Sequence, residues 1–409
     1  MRMNMNTVQT AVIQLLQIYM GMDDCVDTFP KQVDWAEVYE LAVKHNIGGI
    51  LYTAIRKLPE QECVPKDIQK DLQVHFYASV SRSKEQDMRM VQVMECLNQK
   101  KIFHVLMKGW VLKRYYPIPE LRTMGDIDFL IREEDRQRTH EALLQLGFLC
   151  TSDTGFVWCY EKGNTLLEVH SRIVSQKVGR GADTEQYYLD AVSHTEKVRG
   201  EYTLCFIKEY HLVYLFVHAA KHFQYAGYGL RGQLDFALFI EKYGNELEWD
   251  YIWQELEKLG LSAFARATLT LCKEWFGTKI EFLPVQMEAE NYEKMKEIIF
   301  AGGVYGYCGR NMEASQVRNQ LEGAEKSDLK TLKWKAMIKM IFPDRQYMRM
   351  YLKNVEKHPL LLPAAWVIRW YQAIFKRGSR NTQRMKQFLS VDEGVREEYT
   401  LLKELDLLQ

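Results

Sequence analysis

The chain has no Cys-x-x-Cys pair among its eight cysteines, no long apolar run and no excess of either charge. Each absence removes a class of function. Cys25, Cys63, Cys96, Cys150, Cys159, Cys205, Cys272 and Cys308 are scattered, which argues against a zinc or thiol-redox motif. No secretory signal precedes them, so they are expected to be reduced thiols of a cytoplasmic protein. The N-terminal stretch is partly apolar, but glutamines interrupt it and no small-residue cleavage site follows. No run reaches the ~18 residues that suggest a membrane span. With 54 basic and 54 acidic residues the formal net charge is +0, which gives no case for dedicated nucleic-acid binding, although a local basic groove stays open. Internal repeats and low-complexity tracts are also missing.

What is present is a 409-residue chain with 47% hydrophobic and 26% charged residues, the balance of a soluble globular protein. Its length suggests about two or three domains. Residues 1–99 read as helical, most clearly from Asp67 to Asn98, where Leu72, Phe76, Val80, Met88, Val91, Met94 and Leu97 supply an apolar face. The texture changes at 101. Ile102 to Met107 is short and apolar and predicts a buried strand, followed by a helical turn or two that Pro117 and Pro119 stop. Ile127 to Ile131 is the next strand. Glu134 to Leu146 is a helix with Gly147 in the C-cap place. Phe156 to Tyr160 and Thr165 to His170 flank Lys162-Gly163-Asn164, a hairpin signal. So 101–172 reads strand, helix, strand, helix, strand, strand. From Glu209 on the chain is helical again, with breaks at Gly302-Gly303, Pro343, Pro359 and Pro363.

The sharpest chemical signal is Gly125-Asp126-Ile127-Asp128-Phe129-Leu130-Ile131. Alternation along a strand puts Asp126 and Asp128 on one face and Ile127 and Phe129 on the other. Two neighbouring carboxylates repel, and burial worsens that. A divalent cation with a taste for hard oxygen ligands, such as Mg²⁺, relieves it. The other reading is an exposed strand edge that carries two acids, yet strands are depleted in Asp and an apolar run follows directly. In Leu166-Leu167-Glu168-Val169-His170, Glu168 and His170 share a face. If that strand pairs with the acidic one, three carboxylates converge, which suits a two-metal phosphoryl-transfer site; taken alone, Glu168 reads better as an ordinary residue of a half-exposed hairpin strand. Lys108-Gly109 ends the first strand and opens a helix, a place where backbone N–H groups and a cation meet a phosphate. Arg122, just ahead of Asp126, pairs with a triphosphate or holds the carboxylates.

This pattern resembles the nucleotidyltransferase (DNA polymerase beta-like) superfamily, and more narrowly an uncharacterised bacterial nucleotidyltransferase family with a Lys-Gly turn. The matching text is MKGWVLKRYYPIPELRTMGDIDFLI, then LLEVHSRI, then a helical part with HAAKHF and LRGQLDF, roughly residues 35–290. The resemblance implies metal-binding and catalytic acids at Asp126, Asp128 and Glu168, and a nucleotide-binding turn at Lys108 and Gly109. It implies an NTP such as ATP as donor, and two Mg²⁺ ions, or Mn²⁺ in their place. One departure stands out: where the superfamily usually has Gly-Ser, Trp110 follows Gly109, leaving Lys108 to replace the serine. The expected organisation is α+β, a small nucleotidyltransferase-type mixed sheet embedded between helical regions: an N-terminal helical region (1–99), the core (100–205), a helical domain (206–285) and a C-terminal helical region (286–409).

The implied reaction is attack by an acceptor hydroxyl or phosphate on the α-phosphorus of an NTP, releasing pyrophosphate; the acceptor, a small molecule, sugar or protein, is not named by the sequence. Two alternatives keep the fold: a phosphotransferase, and a degenerate nucleotide-binding or assembly protein. His218 and His222 lie four apart on a helix, but the text His-Ala-Ala-Lys-His lacks the glutamate of a zinc-protease motif. With Arg231 and Asp235 they form either a helical lid facing the metal site or a buried polar network between helices. Gly302-Gly303-Val304-Tyr305-Gly306 lacks a following Lys-Ser/Thr and is no P-loop. Residues 360–386, apolar and then basic, are expected to pack as core, with peripheral membrane contact as the other reading. The oligomeric state is not readable.

Overall fold

The computed structural model describes residues 5–22, 24–59, 63–173, 178–225, 228–280, 289–303, 317–318, 320–321, 328–348, 352, 355, 358–375, 388–391 and 394–408. Val304, Tyr305, Gly306, Cys308 and the basic run 376–386 therefore lie outside the described residues.

Helices open the chain: α1 (Thr7–Met20), α2 (Asp24–Asp27), α3 (Trp35–Lys44), α4 (Gly48–Ile55) and α5 (Lys66–Gln99). The start of α1 is a capping box: the Gln9 N–H donates to the Asn6 side chain at 2.8 Å, and the Asn6 N–H donates back to Gln9 at 3.4 Å. Then come β1 (His104–Leu106), α6 (Lys108–Leu112), β2 (Ile127–Ile131), α7 (Arg136–Gln145), β3 (Leu149–Ser152), β4 (Val157–Lys162), β5 (Thr165–His170), α8 (Thr184–Tyr187), β6 (Thr195–Arg199) and β7 (Thr203–Phe206). Beyond the sheet follow α9 (Lys208–Tyr225), α10 (Leu230–Tyr243), α11 (Trp249–Lys258), α12 (Ser262–Phe276) and α13 (Ala289–Gly302). The last described helices are α14 (Leu329–Ile341), α15 (Arg345–Met348), α16 (Leu362–Phe375) and α17 (Gly394–Glu404).

The strands form one mixed sheet in the order β3-β4-β5-β2-β1-β7-β6. Pairs β2–β5 and β1–β7 are parallel, and the remaining pairs are antiparallel. Every residue of β1 and β2 is buried, as the apolar text of two central strands requires. Gly147 adopts φ 79° just past α7, the left-handed conformation that ends a helix.

Side chains alternate between two cores. Ile127, Phe129, Leu167 and Val169 pack with Met90 and Val93 of α5 and Leu143 of α7. Val105, Leu130, Leu204 and Phe206 face the other way, into a core with α9, α10 and α12 that also takes in α1 and α17. Asp128 lies between Ile127 and Phe129 in sequence, so it projects to the α9 side.

The sequence reading missed β3, β6 and β7. Each has only four or five residues; β6 is mostly exposed and lies at the sheet edge, where no apolar alternation is needed. Among the described residues, no helix is long and apolar enough to cross a membrane.

Candidate active site

Strand pairing builds the centre. In the parallel β2–β5 register, Asp128 stands directly opposite Glu168, so both carboxylates leave the same face of the sheet. His170 lies two residues further along the same face of β5. Ligand atoms of Asp128, Glu168 and His170 all lie within 4.8 Å of one another. The His170 Nε2 is 2.8 Å from Asp128 Oδ1 and 3.5 Å from Glu168 Oε2. Asp128 and His170 are nearly enclosed, with side chains 5% and 8% exposed, whereas Glu168 at 29% keeps an opening to solvent. His170 Nδ1 is buried and finds no hydrogen-bond partner among the described residues.

Asp126 falls one residue ahead of β2 and outside that tight group. Its charge still belongs to the site. Burial and then the Asp128 carboxylate push the Asp126 carboxyl above its usual range, with Glu168 adding to the effect. The set expected to converge was Asp126, Asp128 and Glu168; the geometry puts His170 in the closest group instead, because β5 carries it in phase with Glu168.

Lys108 reaches in from the turn between β1 and α6. Its Nζ is 2.6 Å from Asp128 Oδ1. Burial pushes the Asp128 carboxyl up, but the Lys108 ammonium and the His170 hydrogen bond outweigh it and hold it far below the usual carboxylate range. Burial likewise works against the Lys108 charge, and Asp128 overcomes it. Lys108 has φ 46°, a left-handed backbone that a side-chain-bearing residue rarely adopts. The helix it opens has only five residues.

The reason for glycine at 109 is close packing. A Cβ there would meet Arg122 Nη1 at 2.4 Å and Met124 Sδ at 2.9 Å. Arg122 is paired with a different acid, although the Asp126 charge still supports its guanidinium. It forms a two-pronged pair with Asp235, Nε to Oδ1 at 2.8 Å and Nη2 to Oδ2 at 2.7 Å, and the Tyr116 hydroxyl donates to the same carboxylate at 2.7 Å. Arg231 donates to the Thr123 carbonyl at 2.9 Å. Asp235 and Arg231 thus join a buried polar network between helices, within which the Asp126 charge still supports Arg231. The reason is register on α10, which turns both toward the 116–123 segment.

α9 covers the carboxylates. The Tyr214, His218 and His222 rings stand in file along it, 6.1 Å and 4.4 Å apart. Burial lowers the His218 pKa, and Lys108 lowers it further. Burial raises the Tyr214 hydroxyl pKa, against a hydrogen bond with Lys108. Lys221, which the sequence reading passed over, is half-buried beside them; burial and then Lys108 lower its pKa, while Glu168 and Asp128 support its charge. The available signal was its place inside HAAKHF, three residues after His218.

The donor set fits a divalent cation: carboxylates, which are hard oxygen donors, with more negative charge than Lys108 neutralises, and beside them an imidazole, a softer donor. The profile of a family described as uncharacterised nucleotidyltransferases matches residues 31–277, more than half of the chain. The chain belongs to that family. No curated protein matches this nucleotidyltransferase. Among solved structures it is similar to the antibiotic-resistance factor ANT(2'')-Ia in solution, with TM-score 0.31, 13% identity, and 46% of this chain against 95% of that chain covered. It is also similar to a crystal structure of ANT(2'')-Ia in complex with adenylyl-2''-tobramycin, with TM-score 0.22, 11% identity and the same coverage.

Proposed function

We propose that this nucleotidyltransferase transfers a nucleoside monophosphate from an NTP to an acceptor hydroxyl or phosphate, with divalent metal, and releases pyrophosphate. The observation that carries the reading is the in-register Asp128–Glu168 pair with Asp126 beside it, its carboxyl pushed up by burial and by the Asp128 charge. Asp126, Asp128 and Glu168 are the residues that would hold Mg²⁺ or Mn²⁺, and such an ion supplies Lewis-acid polarisation of the phosphate.

The chain's own groups divide the remaining work. Lys108 and Lys221 offer two ammonium groups on the α9 side, a counter-charge for triphosphate oxygens and for the pyrophosphate that leaves. His170 fixes the Asp128 carboxylate through its 2.8 Å contact. Glu168, at 29% more open than Asp128 and His170, would take the acceptor proton. The acceptor oxygen then bonds to the α-phosphorus as the bond to the bridging oxygen breaks.

The test is binding of an intact NTP with Mg²⁺ to wild type and Asp128→Asn, followed by mass spectrometry of products from labelled NTPs. Weaker binding in the variant and a nucleoside-monophosphate adduct from wild type are expected. Equal affinity and activity in both proteins, or an added phosphate alone, would sink the reading.

A further inference from the structure

The C-terminal helices present an apolar, basic surface that the catalytic reading does not use. On α14, Trp334, Ile338 and Ile341 recur at helical spacing and are 59%, 43% and 37% exposed, while Leu332 and Ala336 on the other side are buried. On α16 and the turn ahead of it, Leu360, Val367, Ile368 and Tyr371 are 94%, 59%, 38% and 60% exposed. Phe342 joins the two stripes, its ring 5.1 Å from Trp366 and 5.3 Å from Trp370. The Trp366 and Trp370 indole N–H groups donate to the Pro343 and Ile341 carbonyls, each at 2.9 Å. Those bonds lock α16 to the end of α14 and leave its aliphatic side to solvent.

Charge follows the same segment. α14 carries Lys330, Lys333, Lys335 and Lys339 and no acid, and Arg369 is the one charged residue of α16. From 329 to 386 fourteen lysines and arginines stand against Asp344 and Glu356 alone, in a chain whose net charge is +0. The rest of the chain holds the matching negative excess.

We propose that α14 and α16 dock this protein on the surface of an anionic lipid bilayer. The exposed apolar side chains enter the boundary between headgroups and acyl chains, and the lysines meet lipid phosphates. Aliphatic side chains favour a bilayer over a nucleic acid. Aromatic rings gain by stacking on bases, but leucine, valine and isoleucine gain only by leaving water.

Co-sedimentation of the full chain with vesicles tests this, using phosphatidylcholine alone and phosphatidylcholine with phosphatidylglycerol in equal parts. Binding to the anionic vesicles, weakened by salt and missing with phosphatidylcholine alone, is expected. Leu360→Glu with Val367→Glu should weaken that binding by at least about tenfold without moving the melting temperature, because both side chains touch solvent and each gives up its transfer from water. No binding to anionic vesicles overturns the proposal, as does a double variant that binds them like wild type. Single-stranded RNA that binds tighter than the vesicles and displaces them overturns it in favour of a nucleic acid. Self-association that the double variant abolishes, with vesicle binding intact, assigns the surface to a second copy.

Discussion

Two buried charge clusters share the stretch from Lys108 to Asp128, and they are built differently. Arg122 and Asp235 form a closed pair: both carboxylate oxygens are taken by the guanidinium, and Tyr116 adds a further donor. Positive and negative charge cancel one to one, and both residues are buried. The Asp128 cluster is open. Asp126, Asp128 and Glu168 outnumber Lys108, and Glu168 reaches solvent. A closed pair fixes two elements against each other; an open cluster with surplus charge keeps capacity for a ligand. Under the proposed function, that contrast separates structural from functional charge, although both clusters look alike in composition.

The contrast breaks most plainly at Asp126. Asp126→Asn removes one of the repelling acids, so the fold should become as stable as wild type or more so, while nucleoside-monophosphate transfer falls by about a thousandfold. Rate and melting temperature measured on the same sample decide it; a large loss of stability with transfer retained would reverse the assignment. At the closed pair the outcome should be the opposite kind. Arg122→Met leaves Asp235 buried without its partner and is expected to lower unfolding stability by about 3–5 kcal/mol, read from denaturant midpoints.

Per pH unit, the smallest effect at any one residue comes from buried groups that carry no charge. Burial lowers the His45, His104 and His211 pKa values from 6.5 to about 4. Below 6.5 the unfolded chain therefore binds more protons than the folded one, and stability falls with pH until about 4. The slope should be up to about 1.4 kcal/mol per pH unit for each histidine. His104 already bonds to the Ile102 carbonyl and to Thr203 Oγ1, both at 2.9 Å, so His104→Gln should flatten the slope with little other cost. An unchanged slope in that variant would remove His104 from the account.

The central strands were legible because burial on both faces imposes an apolar text, and β2 covers the expected Ile127 to Ile131. The Thr165 to His170 strand and the Gly147 stop were legible through turn chemistry. The edge strands were not, because β6 and β3 meet solvent and need no pattern. The site divides in the same way. The acids stood out because Asp is costly in a strand. Lys221 did not, because a lysine on a helix is ordinary until the helix packs over a carboxylate cluster.

The sequence by itself determined which residues are acidic, that Asp126 and Asp128 stand two apart at the start of a strand, and which face of β5 holds Glu168 and His170, because side-chain alternation is local. Only the tertiary structure decided that β2 and β5 pair in parallel with Asp128 opposite Glu168. It also decided that Arg122 belongs to Asp235 and that α9 brings Lys221 to the carboxylates. These are contacts across 113 residues for Arg122 and Asp235, and 42 for His170 and Asp128. At such separations the choice among carboxylates rests on how the sheet and helices pack, and local pattern carries no record of it.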